Sequence, residues 1–173
     1  MGQGPLPSLE LPKQRKEALV EIVPLSTGCL GACTYCKTRH ARGKLGSYAP
    51  EAIERRISQA LDEGVAEVWL SSEDTGAYGI DLKTSLSALL LRLIPVLERR
   101  PFASLRVGMT NPPYVLDQLD TLAEVMEHPQ IYAFLHVPVQ SGSNNVLGAS
   151  KMNREYTVQD FERVVNRLQE KVR

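Results

Sequence analysis

Three cysteines near the start of the chain are the residues whose type and spacing point to chemistry. Cys29, Cys33 and Cys36 form a C-x3-C-x2-C pattern, and the sequence contains no other cysteine. Four thiolates usually complete an iron–sulfur cluster, so three leave one iron open to a substrate or cofactor. An open coordination position indicates catalysis, whereas a closed ligand set indicates a structural or electron-transfer site. The pattern therefore predicts a cluster that takes part in a reaction.

Two other interpretations of these thiols compete with the open cluster. A disulfide framework fits poorly, because the number of cysteines is odd and the chain shows no secretory features. A structural zinc site could combine the three thiols with His40, since the spacings lie within or near those of known zinc sites. Zinc ligands usually come as two separated pairs, however, while all of these crowd one loop. The spacing favours iron–sulfur and leaves zinc as the alternative.

Composition and charge bound the class of protein. The 173 residues contain 43% hydrophobic residues, enough for the core of one domain, and 20 basic residues balance 20 acidic ones. Residues 1–18 are polar and proline-rich, which indicates a leader or linker ahead of a core domain over 19–173. Thiols kept reduced for metal binding predict an intracellular, cytoplasmic protein. The best apolar run, 86–97, is interrupted by Arg92 and Pro95 and is too short for a membrane span.

Strand and helix patterns alternate along the rest of the chain. This alternation predicts an α/β fold with a parallel sheet and right-handed crossovers. Pro95 is expected to kink or end the second helix. Strands are predicted at 21–25, 65–70, 105–109 and 131–139. Helices are predicted from Pro50 to Gly64, over 86–97 after a cap at Thr84 or Ser85, over 115–126, and after a cap at Thr157.

The polar loops of the chain follow the predicted strands. The cysteine loop comes after the first strand, residues 72–79 after the second, 110–113 after the third and 140–145 after the fourth. Sites in parallel α/β folds lie at the carboxyl ends of the strands. We therefore expect these four loops to meet at one edge of the sheet.

Five sequence blocks extend the argument beyond the cysteines. TGCLGACTYCKTRHARG, WLSSEDTGAYG, VGMTNPPYVL, FLHVPVQSGS and MNREYTVQDF follow one another between Leu11 and the C-terminus. In this order they resemble the radical S-adenosylmethionine (SAM) methylthiotransferases, specifically the archaeal and eukaryotic threonylcarbamoyladenosine tRNA methylthiotransferase branch. The resemblance implies a partial (βα) barrel of the radical SAM type, with about four of six βα units in this chain. It also implies that an amino-terminal second-cluster domain and a carboxy-terminal tRNA-binding domain are missing.

The resemblance also implies a reaction and its partners. The three cysteines would hold a [4Fe-4S] cluster, and SAM would bind the fourth iron and yield a 5′-deoxyadenosyl radical. The product would be a methylthio group at C2 of N6-threonylcarbamoyladenosine-37, next to the tRNA anticodon. Expected partners are the anticodon stem-loop of tRNA and a reductant protein, and the resemblance implies a tether to the ER membrane in full-length eukaryotic relatives. Because one cluster uses all three cysteines, we expect the isolated chain to cleave SAM at best.

Several polar residues are candidates for binding the cofactor or nucleic acid. The alternatives for them are ordinary turn, cap or solvated surface residues, and for the whole chain a non-catalytic zinc-binding module or a radical SAM enzyme of other specificity. Candidate SAM contacts are Glu73, Asp74, Thr110, Asn111, Gln140 and Ser141. Candidate contacts to phosphate or to the SAM carboxylate are Lys37, Arg39, Arg42 and Lys44.

Overall fold

A parallel sheet flanked by helices forms the centre of the computed structural model, which describes residues 6–172. The first five residues of the predicted leader lie outside this range. The elements in chain order are β1 (Val20–Pro24), β2 (Ser26–Thr27), α1 (Thr38–Arg42), β3 (Gly46–Ser47), α2 (Pro50–Asp62), β4 (Glu67–Ser71), α3 (Leu86–Glu98), β5 (Ser104–Val107), α4 (Leu119–Met126), α5 (Asn144–Leu147) and α6 (Val158–Lys171), with short 3-10 turns at Thr75–Ala77, Ile80–Leu82, Pro112–Tyr114 and Leu116–Gln118.

The sheet has the strand order β1-β4-β5, and both neighbouring pairs run parallel. Side chains alternate between its two faces, as the pleat of a strand requires. Val23, Leu70 and Val107 lie in register on the buried face, which packs against the helices. The opposite face carries Ile22 and Trp69 and is more accessible. Parallel strands joined by helical crossovers confirm the predicted α/β class.

The helices begin and end where the sequence supplies suitable residues. Pro50 occupies the first turn of α2, where its missing N–H costs nothing. The hydroxyl of Ser85 caps α3 by accepting from Ala88 N at 3.2 Å, so Ser85 and not Thr84 is the cap. Thr157 and Asp160 form a capping box at α6, as the sequence predicts for Thr157. Because these caps fix where each helix begins, they also fix the path of the crossovers between strands, which leaves the loops at one edge of the sheet.

Two helix predictions require correction. Pro95 does not end α3, because the helix continues to Glu98. Both Pro95 and Leu91, whose carbonyl the proline leaves without its helical donor, lie on the exposed face, where water can replace the lost bond. The helix predicted over 115–126 is also shorter, because 3-10 turns precede it and α4 begins only at Leu119.

The predicted fourth strand over 131–139 is wrong as a regular strand. The segment makes one isolated parallel bridge, between Ile131 and Leu105. Tyr132 N donates to Leu105 O at 2.9 Å, and Thr110 N donates to His136 O at 3.0 Å. The segment therefore lies beside β5, but it is joined to its neighbour at its two ends rather than along a continuous ladder. Pro138 contributes no backbone donor, which weakens any ladder there.

The segment ahead of β1 is held to the core by charge. Glu21 is fully buried, and Arg56 of α2 donates to both its carboxylate oxygens, at 3.1 and 2.9 Å. Arg15 donates to the same carboxylate at 2.6 Å, and Lys13 also pairs with it. Residues 13–15 of the predicted leader thus contact the core domain. In the described range, no helix is long and apolar enough to cross a bilayer.

Candidate functional site

The cysteine loop is closed at its base by a small antiparallel ladder. Strands β2 and β3 pair Ser26 with Ser47, and Cys29 N donates to Gly43 O at 3.2 Å. Gly28 adopts φ +74°, and a Cβ there would lie 2.0 Å from the carbonyl oxygen of Lys44. Glycine is therefore required where the two ends of the loop meet. This closure presents the residues between as one compact loop at the carboxyl end of the sheet.

Two of the three thiols face a common space. A Cβ on Gly31 would lie 3.7 Å from Cys29 Sγ and 3.6 Å from both Cys33 Sγ and Tyr114 Oη, so a side chain there would contact both sulfurs. All three cysteines are free thiols, and each remains accessible to some degree. In residues 6–172, no three side chains of the His, Cys, Asp or Glu type are grouped as a single metal ion would need. A cluster spreads its thiolates more widely than one ion does, so three thiol donors on one loop suit a cluster better than a single ion.

The surroundings shift the proton affinities of two thiols in opposite directions. Burial raises the pKa of Cys29, and the neighbouring acid Asp74 and the other two thiols add to this. Hydrogen bonds from the hydroxyl and the backbone N–H of Thr38 lower the pKa of Cys36. Thiolates are the form that binds iron. Cys36 therefore reaches the thiolate form more readily than Cys29 does.

Asp74 joins the loops that follow β4 and β5. It is only 4% exposed, and its Oδ1 accepts from Gly76 N at 3.1 Å and from the Thr110 hydroxyl at 2.9 Å. Asn111 donates to it through Nδ2 at 2.6 Å and through the backbone N–H at 3.3 Å. Burial raises the pKa of Asp74 despite these donors. The predicted loops do meet here, with three candidate SAM contacts bonded to one another; a role in binding SAM stays a prediction for each.

The remaining candidates surround the cysteine loop with different degrees of contact. Gln140 has φ +62°, and its Oε1 accepts from Tyr35 Oη at 2.9 Å, which brings it to the loop. Within residues 6–172, the side chain of Ser141 makes only a local hydrogen bond, in which its Oγ accepts from Ser143 N at 3.2 Å. Glu73 pairs with Arg42 at 3.1 Å. Their roles at the site stay predictions.

Four basic side chains lie on the exposed side of the same loop and of α1. Lys37, Arg39, Arg42 and Lys44 are all exposed. Arg39 Nη1 donates to Leu30 O at 3.2 Å and so fastens α1 to the cysteine loop. Because Glu73 offsets part of the charge of Arg42, the basic edge is weaker than the sequence suggests. A phosphate contact by these four side chains stays a prediction.

One arginine at the site was not identified from the sequence. Arg154 is 9% exposed, and its Nη1 donates to Cys33 Sγ at 2.8 Å and to Tyr35 Oη at 3.0 Å. Its Nη2 donates to Asn111 Oδ1. The only signal was its place in the MNREY block, since nothing in the local sequence distinguishes it from a surface arginine.

The residues next to Arg154 also bond to the backbone of the cysteine loop. Thr34 N donates to Met152 O at 3.2 Å, and Asn153 Nδ2 donates to Ala32 O at 3.0 Å. Asn153 and Glu155 have φ values of +51° and +62°; asparagine adopts this left-handed region readily, whereas glutamate does so only where surrounding contacts offset the cost. The local backbone is therefore held in a defined, costly shape against the cysteine loop.

Comparison with known proteins places this geometry in a family. The Radical SAM superfamily profile matches residues 23–173. Threonylcarbamoyladenosine tRNA methylthiotransferases from Drosophila pseudoobscura pseudoobscura and from Homo sapiens are 57% and 56% identical over 164 residues, which is 95% of this chain. A probable threonylcarbamoyladenosine tRNA methylthiotransferase of Pyrococcus abyssi is 47% identical over 166 residues. The chain spans 29%, 28% and 38% of these three relatives, respectively.

A solved structure supports the fold independently of close sequence similarity. The radical SAM methyltransferase TsrM of Kitasatospora setae, solved with tryptophan and the SAM analogue aza-SAM, superposes with a TM-score of 0.66. Only 16% of the aligned residues are identical, and the match covers 89% of this chain and 29% of TsrM. The likeness therefore shows the fold alone. With three clustered thiols at the carboxyl edge of a parallel sheet, and a family profile that covers most of its length, this chain belongs to the Radical SAM superfamily.

Proposed function

We propose that this chain is the catalytic core of a tRNA methylthiotransferase that modifies N6-threonylcarbamoyladenosine and uses a [4Fe-4S] cluster and SAM. The observation that carries the proposal is the 47–57% identity to relatives with that name, over 95–96% of this chain. The matched region includes the cysteine loop and the other three loops at the carboxyl edge. The zinc-module alternative has no comparable support, because it accounts for neither the family match nor the converging loops.

In this proposal the chain's own residues bind and orient the reactive group. Cys29, Cys33 and Cys36 would hold the cluster, and Gly31 places no side chain beside the sulfurs of Cys29 and Cys33. When bound, the cluster and SAM supply a carbon-centred radical that can take a hydrogen atom from an unreactive C–H bond. Asp74 and Asn111 fix the neighbouring loops, so the groups around the cofactor are set before it arrives.

The substrate and partners belong to the proposal as well. The exposed basic side chains on α1 and the cysteine loop would contact tRNA phosphates, which set position rather than sequence. We further propose that a reductant protein supplies the electron. Because the sequence has only three cysteines, a second cluster held by three thiolates would need ligands from outside these 173 residues. The chain alone is therefore proposed to cleave SAM without completing sulfur transfer.

Anaerobic reconstitution tests this function. The wild-type chain should become brown, bind about four iron atoms per chain and, with dithionite, convert SAM to methionine and 5′-deoxyadenosine. Cys33→Ser should lose most of the iron and all SAM cleavage, whereas Ser143→Ala, a variant in the loop after 131–139, should keep both. A colourless chain holding one zinc would favour the alternative module. Formation of the methylthiolated base by this chain alone would refute the proposal that the chain cleaves SAM without completing sulfur transfer.

A further inference from the structure

Arg154 carries an inference about the cluster itself, and this inference rests on the proposed function. We propose that Arg154 is a positioning residue that holds the Cys33 sulfur and raises the reduction potential of the cluster bound there. The guanidinium reaches the sulfur from a segment 121 residues later in the chain. It is the most buried of the cationic side chains that contact the cysteine loop.

The guanidinium fork connects three groups on two different loops. Nη1 lies 2.8 Å from Cys33 Sγ and 3.0 Å from Tyr35 Oη, and both acceptors belong to the cysteine loop. Nη2 donates to Oδ1 of Asn111, a residue that follows β5 and whose Nδ2 donates to Asp74 at 2.6 Å. A planar fork holds such a geometry with little loss of freedom, which a lysine ammonium cannot reproduce. The sulfur is thereby tied to the rigid loops of the sheet.

The charge of Arg154 makes the bond to sulfur more than a geometric contact. None of the ion pairs found across residues 6–172 involves Arg154, so no carboxylate neutralises it directly. Its Nε is buried without a hydrogen-bond partner. A buried cation is costly without a nearby anion, and a ligand sulfur at Cys33 would supply negative charge at the atom that Nη1 already contacts. The ring of Tyr156, 5.7 Å away, covers the guanidinium further.

Such a contact shifts the balance between the two oxidation states of a cluster. Reduction adds one electron and one negative charge, and a positive hydrogen-bond donor at a ligand sulfur stabilises that charge. Cluster potentials depend on net charge, hydrogen bonds to sulfur and solvent exposure. Removing the guanidinium should therefore make the cluster harder to reduce, while the three thiolate ligands remain.

Contacts of the neighbouring residues keep the segment in place when Arg154 is substituted. Met152 O accepts from Thr34 N, and Asn153 Nδ2 donates to Ala32 O, so the segment stays attached when only the side chain of Arg154 is changed. Arg163, exposed on α6, offers a matched control. A substitution there removes the same charge from the chain at a distance from the cysteine loop.

The test is a potentiometric measurement on the reconstituted 173-residue chain, in which dithionite supplies one electron per cluster and EPR counts the reduced form. At a fixed potential, Arg154→Met should lower the ratio of reduced to oxidised cluster at least tenfold, about 59 mV for a one-electron couple. Arg154→Lys, which keeps the charge but not the fork, should recover part of the loss. Arg163→Met should match the wild type, and all four proteins should contain equal iron.

Three results would overturn the inference. A ratio in Arg154→Met within threefold of the wild type would show that the guanidinium does not act on the potential. An equal shift in Arg163→Met would mean that net charge alone is responsible. Iron loss in Arg154→Met and Arg154→Lys, at an unchanged potential of the residual cluster, would reduce Arg154 to a structural residue.

A second measurement separates this inference from the proposed function. In the cluster-free chain, hydrogen exchange of the peptide over 28–37 should quicken at least threefold in Arg154→Met and stay unchanged in Arg163→Met. If the wild type takes up no cluster, the proposed function fails. The exchange rates then decide the positioning role alone, and unchanged exchange in Arg154→Met would refute it.

Discussion

Substitution of Asp74 distinguishes a carboxylate that organises the loops from one that serves only the cofactor. Four donors reach this side chain: Gly76 N, the Thr110 hydroxyl, and the backbone and side-chain nitrogens of Asn111. If these bonds hold the loops after β4 and β5 together, their loss should weaken the chain before any cofactor is present. If Asp74 acts only on the cofactor, its substitution should leave the stability of the cofactor-free chain unchanged.

The expected magnitude follows from which donors have other partners. In Asp74→Ala the Thr110 hydroxyl can turn to Asn111 O, at 3.4 Å, and Gly76 N keeps the Thr110 oxygen at 3.2 Å. The two nitrogens of Asn111 lose their acceptor. At about 1–3 kcal/mol for each unsatisfied donor, and with Asn111 only partly buried, we expect Asp74→Ala to lower the free energy of unfolding by about 2–4 kcal/mol.

Urea unfolding of the cluster-free chain, followed by far-UV circular dichroism, measures this loss. Glu73→Gln is the matched control, because Glu73 is the adjacent acid and its pair with Arg42 is exposed. Such pairs contribute about 0–1 kcal/mol. A cost of less than 1 kcal/mol for Asp74→Ala would contradict the reasoning, as would equal costs for the two variants.

The pH dependence of stability, compared between the wild type and a further variant, Asp74→Asn, gives a second check. Because burial raises the pKa of Asp74 above its ordinary value near 3.8, the folded chain binds its proton more tightly than the unfolded chain does. Stability from this group therefore falls as pH rises from about 3.8 through the raised pKa of the folded state. The wild type should lose stability relative to Asp74→Asn across that interval. A constant difference between the two would exclude the raised pKa.

Two further predictions concern the buried charge cluster and the base of the cysteine loop. Glu21→Gln should lower the free energy of unfolding by about 3–5 kcal/mol, because it leaves the buried Arg56 without its carboxylate, whereas Glu54→Gln at an exposed pair should cost less than about 1 kcal/mol in the same urea assay. Gly28→Ala should reduce the iron bound after reconstitution severalfold, because its Cβ would overlap the Lys44 carbonyl; Gly142→Ala, which meets no atom within 4 Å, should bind iron normally. Equal losses of unfolding free energy in Glu21→Gln and Glu54→Gln would refute the first prediction, and equal iron content in Gly28→Ala and Gly142→Ala would refute the second.

Hydrophobic periodicity predicted the elements that bury a full face. β1, β4, β5 and the helices α2, α3 and α6 appear where the sequence indicated them, because each packs apolar side chains against the same core. The segment 131–139 looked equally apolar but has only one regular neighbour, β5, in the part of the chain described. An edge position alone does not explain the missing ladder, because β1 also has a single neighbour and pairs with β4 over its full length. The segment 131–139 is instead bonded only near its two ends, and its apolar composition carries no information about which backbone groups pair.

The site was predicted in part, for a comparable reason. The C-x3-C-x2-C spacing is local, so the three thiols could be identified directly, and the loop convergence followed from parallel topology. Arg154 could not be identified, because its partners Cys33 and Asn111 lie far away in sequence and only the fold brings them together. The bonds of Asp74 were missed likewise, since a buried carboxylate hub looks like any acidic loop residue.

The long separation between the thiols and the segment that covers them has a consequence for synthesis of the protein. Asn153 and Arg154 contact the cysteine loop across 121 residues of chain. At translation rates of about 5–20 residues per second, the thiols leave the ribosome about 6–24 s before their cover does. During that interval oxidants and stray metals can reach them. The cluster should therefore be inserted correctly most often after the polypeptide has been released. Ribosomal stalling before the segment around Arg154 is made should increase the share of oxidised, iron-poor protein.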